Sequence, residues 1–118
     1  MKSVEINRAI SLREERITGH NRWHPDITPV IEVDPGEEVV LQCRDASDGQ
    51  ISFGMTNEDI TGMSRGATHP LTGPVYIEGA TVGDVLAVTI ENIDPGPVGW
   101  TSASAFGFAG AAVESESR

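Results

Sequence analysis

One lysine, one cysteine, one tyrosine and no apolar run near the ~20 residues of a membrane-spanning helix set the first limits on this chain. A lone cysteine cannot form an internal disulfide, and the alternating run Val39-Val40-Leu41-Gln42-Cys43 predicts that Cys43 is a small buried hydrophobe. Lys2 is the only lysine among eight basic residues, which face eighteen acids, so the formal net charge is -10. A surface that acidic repels phosphate backbones and anionic lipid, so neither nucleic acid nor a membrane is an expected partner. Dispersed acids with scarce lysine resemble the solvated surfaces of proteins from salty cytoplasm. No basic start leads into an apolar stretch, so a cytoplasmic location is expected. Familiar catalytic templates are missing too: there is no Gly-x-Ser-x-Gly elbow, no phosphate-cradling glycine loop, no Cys-x-x-Cys pair and no His-Glu-x-x-His helix.

What is present reads as β structure. At 118 residues and 38% hydrophobic, the chain suits one small domain with a modest core. Ser3 to Ile6 alternates as a short strand, and Ile10 to Ile17 lacks a helical stripe and reads as an irregular connection. Val30, Ile31 and Val33, the turn Asp34-Pro35-Gly36-Glu37, then Val39, Leu41 and Cys43 predict a β-hairpin. A second turn-and-strand unit is expected where Val75-Tyr76-Ile77 leads through Gly79 to Gly83 into the alternating Val85 to Ile93. Between them, Thr56 followed by Glu58 and Asp59 predicts one short capped helix from Thr56 to about Met63. The fold class is therefore all-β, a sandwich or barrel with at most one short helix. Residues 1–98 form the β-rich part, and 99–118 a Gly/Ala/Ser-rich end and polar tail. Trp100, Phe106 and Phe108 stand among glycines with no periodic segment after them, which suggests a docking or truncation region.

Three polar clusters stand at the edges of the apolar runs: His20-Asn21-Arg22-Trp23-His24-Pro25-Asp26, Asp45-Ala46-Ser47-Asp48-Gly49-Gln50 and His69-Pro70-Leu71-Thr72-Gly73-Pro74. Such groups are costly in a small domain unless solvent or a ligand satisfies them, and they read as the lining of one site. His20, His24 and Asp26 suit a metal or general-base role, but their spacing is not specific and a solvated loop with Trp23 packed beneath it explains them more readily. Pro25 excludes a helix presenting the two histidines together. Asp48-Gly49 is explained by an Asx turn alone. Asp45 follows an apolar strand end, where a partly buried carboxylate needs a cation or several donors. His69 and Thr72 lie on a backbone stiffened by two prolines, which serves a site or simply a corner.

The segments Gly19 to Ile27, Val33 to Val39, Asp45 to Ile51, His69 to Ala80 and Gly83 to Leu86, in that order and spacing, resemble the N-terminal part of the acetamidase/formamidase family. The resemblance implies hydrolysis of short linear amides such as formamide and acetamide, releasing ammonia, in a β-rich fold that is often a homo-oligomer. Family members are more than twice this length. Their later motif Gly-Asp-x-His-x-x-Gln-Gly-Asp-Gly-Glu is nowhere in this sequence. The chain is thus expected to be one subunit of a split enzyme or a truncated product, an incomplete N-terminal portion inactive alone with a complementary polypeptide or a homo-oligomer as partner, or else a small paralogue that has lost catalysis. On this reading Asp45, His69 and His24 are the catalytic candidates, and Trp23, Thr72 and Tyr76 would bind substrate. Asp45 is also the candidate ligand of a divalent metal, zinc or calcium. The competing expectation is a non-catalytic β module binding a partner chain or small ligand near Trp100 and Phe106.

Overall fold

A Pro-Gly turn decides much of the topology. In the computed structural model, which describes residues 1–103 and 116–117, the Glu37 N–H donates to the Asp34 carbonyl at 3.0 Å and Gly36 takes φ 82°. Proline at the second position and a positive-φ glycine at the third is the type II pattern. That turn carries a twist that splays its flanking strands, whereas tight hairpins use the mirror-image turns. The strands on either side accordingly part company. β3 (Ile31–Val33) pairs in parallel with β6 (Val75–Ile77), Ile31 opposite Val75 and Val33 opposite Ile77. β4 (Val39–Leu41) pairs in parallel with β1 (Lys2–Val4), Lys2 opposite Val39 and Val4 opposite Leu41. The hairpin expected from Val30 to Cys43 is therefore corrected: the turn exists, but each arm joins a partner distant in sequence.

The second expected hairpin is corrected as well. Val75–Ile77 forms β6, but Val85 to Ile93 adopts no regular secondary structure and its side chains are exposed. Cys43 is also exposed rather than buried, because β4 ends at Leu41 and the chain has left the sheet two residues earlier. The helix is where its cap placed it. α1 (Asn57–Thr61) begins at a capping box in which the Asp59 N–H donates to Thr56 Oγ1 at 3.2 Å and the Thr56 N–H to Asp59 Oδ2 at 2.9 Å.

The protein is strand-rich, and α1 is the one α-helix among the described residues. Its chain divides into two units, Met1–Gln50 with Ser64–Val82 and Ile51–Met63 with Gly83–Arg118. The first holds the four strands above and a short antiparallel pair, β2 (Gly19–His20) with β5 (Leu71–Thr72). Its core is small: Val4, Leu12 and Val33 are its buried hydrophobes. The second unit holds α1 and the antiparallel pair β7 (Ser102–Ala103) with β8 (Glu116–Ser117). Trp100 is exposed; Phe106, Phe108 and most of the expected tail lie outside the described residues. No helix among the described residues is long and apolar enough to cross a membrane.

With so small an apolar core, polar ties hold the loops of the first unit. The Arg44 side chain is 6% exposed and its guanidinium reaches Glu15 Oε2 at 2.6 Å, Asp48 Oδ1 at 3.1 Å, the Ile10 carbonyl at 2.7 Å and the Asn7 carbonyl at 3.2 Å. Asp48 is 3% exposed, and its other oxygen accepts from the Leu12 N–H at 2.7 Å. The irregular 7–15 segment is thereby fastened to the loop after β4.

Three carboxylates tie folding to pH. Glu15 is held below the usual carboxylate range chiefly by the Asn7 N–H, with burial opposing and Arg44 and Thr18 assisting. Glu37 is lowered chiefly by the Asp34 N–H, against burial and with help from Lys2, and Glu14 by the Ser11 N–H and hydroxyl. Each binds its proton more weakly folded than unfolded. Their stabilisation is therefore complete above the ordinary carboxylate range and is lost as pH falls through the depressed folded values. Thermal midpoints should be flat above about pH 5 and decline below it. Glu15→Gln should shallow that decline, and an unchanged slope would remove Glu15 from the account.

Candidate functional site

The three polar clusters of the sequence meet through their backbones. The His69 N–H donates to the Ala46 carbonyl at 2.8 Å, which sets the third cluster on the second. Gln50 strengthens this join: its amide donates to the Ser47 carbonyl at 2.8 Å and the Ser64 carbonyl at 3.0 Å, and accepts from the Ser64 N–H at 2.8 Å. The β2–β5 pair places His20 opposite Leu71 and Gly19 opposite Thr72. Asn21 Nδ2 donates to the Gly66 carbonyl at 2.6 Å, and the Val30 N–H to the Pro74 carbonyl at 2.9 Å. The first cluster thus sits on the third.

Side chains in the Asp45 loop face inward on the loop itself. Asp45 Oδ1 accepts from the N–H and hydroxyl of Ser47 at 2.8 and 2.5 Å, and Oδ2 from the Gly49 N–H at 2.8 Å. Ser47 is fully buried. The carboxylate buried against a cation is Asp48, four residues after Arg44, not Asp45. The Arg44/Asp48 spacing was the available signal, and the Asx turn at Asp48-Gly49 masked it. Thr72 Oγ1 donates to the Gln42 carbonyl at 2.6 Å, which fixes β5 against the end of β4. His69 takes φ 59°, a left-handed backbone that non-glycine residues seldom adopt, and its side chain is exposed.

A second grouping gathers other residues of the first unit. An open cleft of about 500 Å³ is lined by His20, Trp23, His24, Pro74, Val75 and Tyr76, among others. Trp23 is 88% exposed, so it does not pack beneath its loop; it stands edge-on to His20, with ring centroids 6.3 Å apart at 77°. Thus His24, Trp23 and Tyr76 share the cleft, whereas Asp45, His69 and Thr72 do not line it.

Hydrogen bonds give the two cleft histidines opposite roles. His20 Nδ1 lies 2.6 Å from the Arg22 carbonyl, which can only accept, so in the neutral ring Nδ1 carries the proton and Nε2 has the lone pair. His24 Nδ1 accepts from the Asp26 N–H at 3.1 Å, so in the neutral ring Nε2 carries the proton. One imidazole offers an acceptor and the other a donor. Among the described residues, no group of three His, Cys, Asp or Glu side chains is disposed to hold a metal ion. Both oxygens of Asp45 are already engaged with Ser47 and Gly49. The described donor set therefore does not by itself fit a zinc or calcium site.

The sequence profile of the acetamidase/formamidase family matches residues 5–117. The chain belongs to that family. It is 39% identical over 92 residues to an acetamidase of Mycolicibacterium smegmatis, a match covering 78% of this chain and 23% of the relative. A formamidase of Methylophilus methylotrophus is 38% identical over 74 residues, 63% of this chain and 18% of that protein. Among solved structures, a gamma lactamase from Delftia acidovorans superimposes with a TM-score of 0.61 at 32% identity, over 68% of this chain and 20% of that one. The chain spans less than a quarter of the length of each of these three proteins.

Proposed function

We propose that this chain forms one wall of the active site of a cytoplasmic linear-amide hydrolase acting on short amides such as formamide and acetamide, and that a further stretch of polypeptide completes the site. The family match along nearly the whole chain, to relatives named acetamidase and formamidase, is the observation that carries this reading. The opposed tautomers of His20 and His24 support it.

An unactivated amide resists attack because resonance stabilises its carbonyl. Hydrolysis needs something to polarise the oxygen, a base for the attacking water and a proton for the departing nitrogen. A primary amide presents one carbonyl acceptor beside N–H donors. His24 Nε2–H is suited to the carbonyl oxygen and His20 Nε2 to an amide N–H or a water proton. Trp23 and Tyr76 supply apolar walls, which suits a substrate with few atoms to hold. Asp45 and His69 act in this reading by organising the loops on which the cleft rests. Any metal assistance would draw its donors from the completing stretch.

The test uses the chain assembled with the rest of a family member, scored by ammonia released from formamide and acetamide. His24→Ala and His20→Ala should each lower turnover by about 100-fold, the range for loss of a positioned acid or base. The chain alone should release none. Wild-type turnover in both variants would remove the cleft from the chemistry, and full activity of the isolated chain would contradict the shared site.

A further inference from the structure

The cleft of the first unit has more room than formamide or acetamide uses. At roughly 30 Å³ per non-hydrogen atom, water's share of its own liquid, formamide fills about 100 Å³ and an amide the size of benzamide about 270 Å³. The opening measures about 500 Å³, within the range of pockets that hold far larger ligands. Trp23, Ile27, Pro29, Pro74, Val75 and Tyr76 make its walls apolar, and none of the described lining residues is Lys, Arg, Asp or Glu. Backbone ties fix these walls before a ligand arrives. The Val30 N–H donates to the Pro74 carbonyl at 2.9 Å, the β3–β6 register sets Ile31 opposite Val75, and the Ile27 N–H donates to the His24 carbonyl at 3.3 Å. With Trp23 88% exposed, most of its indole surface is open to a flat group.

We propose that the cleft is selective for uncharged primary amides whose acyl group is a flat apolar ring, with the amide edge read by His20 and His24 together. The reaction is taken from the amidase reading, and the binding selectivity stands on the cleft alone. A primary amide presents its carbonyl oxygen and one N–H on the same edge. In their neutral rings His24 Nε2–H is the donor for the first and His20 Nε2 the acceptor for the second. An open-chain N-substituted amide holds its N–H on the side opposite the carbonyl, because the cis form is costly, so it satisfies only one of the two histidines. The ring lies among Trp23, Tyr76 and the prolines, where it buries apolar area that a methyl group cannot match. Charge favours substrate over product. With no cation among the described lining residues and a net charge of -10 on the chain, a neutral amide is bound in preference to the carboxylate made from it. In that hydrolysis the water oxygen bonds to the carbonyl carbon, the C–N bond breaks, and the nitrogen leaves as ammonia with a proton taken from the water.

The probes are benzamide, N-methylbenzamide, acetamide and benzoate, each titrated calorimetrically into the intact chain at about pH 8, where an ordinary imidazole is neutral. Benzamide should bind saturably at one site, and the other three at least about tenfold more weakly, acetamide for want of apolar area and N-methylbenzamide for an unmet hydrogen bond. Trp23→Ala should weaken benzamide by at least about tenfold as well. Its side chain is exposed, so an unchanged thermal midpoint separates a lost wall from lost folding. Absence of saturable benzamide binding would overturn the proposal. So would a difference of less than about tenfold between benzamide and any of the other three probes, or between the wild-type and Trp23→Ala chains. In the chain assembled with the rest of a family member, benzamide should have a higher kcat/KM than acetamide, and the reverse order would overturn the proposal too. Selective benzamide binding without ammonia release from any amide would leave the selectivity intact and remove the amidase reading. Ammonia released from formamide and acetamide, with no benzamide binding, would remove the selectivity and leave that reading standing.

Discussion

Arg44→Met will destabilise the first unit by about 3 kcal/mol, the lower part of the range for breaking a buried ion pair by removing one partner. Methionine keeps much of the aliphatic volume, so the loss is electrostatic. Asp48, 3% exposed, keeps only the Leu12 N–H among the partners described above, and the Asn7 and Ile10 carbonyls lose their shared donor. For a small folding unit this corresponds to a fall in thermal midpoint of more than about 10 °C. The double variant Arg44→Met/Asp48→Leu should recover part of it, since a buried pair replaced by apolar groups is often neutral. Urea unfolding of the two variants checks the account; a single-variant cost under about 1 kcal/mol would show that the pair carries little of the loop's order. The consequence reaches the site, because the loop after Arg44 presents the Ala46 carbonyl that receives the His69 N–H.

Gly19→Ala is expected to cost a comparable amount, about 3 kcal/mol, the upper part of the range for overpacking. A Cβ on Gly19 would collide with the carbonyl oxygen of Leu71 and approach Leu12 Cδ1 at 3.2 Å. The collision is with backbone, so no side chain can rotate away. Gly19 is extended, at φ -173°, so the cost is steric and owes nothing to a strained dihedral. Relief requires the β2–β5 pair to separate, and that pair carries His20 into the cleft. The variant should lose both thermal stability and, in the assembled amidase, turnover. An unaltered melting curve would mean that the two strands are not held so close.

The features that could be read directly from residue order are those whose cause lies within a few positions. The capping box at Thr56 and Asp59, the Asp34-Pro35-Gly36-Glu37 turn and the irregular run after Ile10 each follow from local side-chain chemistry or backbone restriction. Family membership was legible for a related reason: its motifs are short, ordered and rich in residues with special geometry. The errors arose where a partner is distant in sequence. Val30 to Val33 and Val39 to Cys43 look like hairpin arms, yet β3 joins β6 and β4 joins β1 in parallel. Alternation in a strand states that one face is covered without stating by what. Cys43 and Trp23 show the same gap, being apolar by type and exposed in fact.

Residue order by itself determined the β-rich class, the acidic composition, the Asp34-Pro35-Gly36-Glu37 turn, the capped helix at Thr56 and the family. Tertiary structure alone decided that Asp48 rather than Asp45 is the buried carboxylate, that His20 and His24 share a cleft with Tyr76, and that their free nitrogens differ in kind. The division has a physical origin. Turn and cap energies depend on neighbours along the chain, whereas burial, ion pairing and tautomer choice depend on atoms that only chain closure brings within hydrogen-bond range.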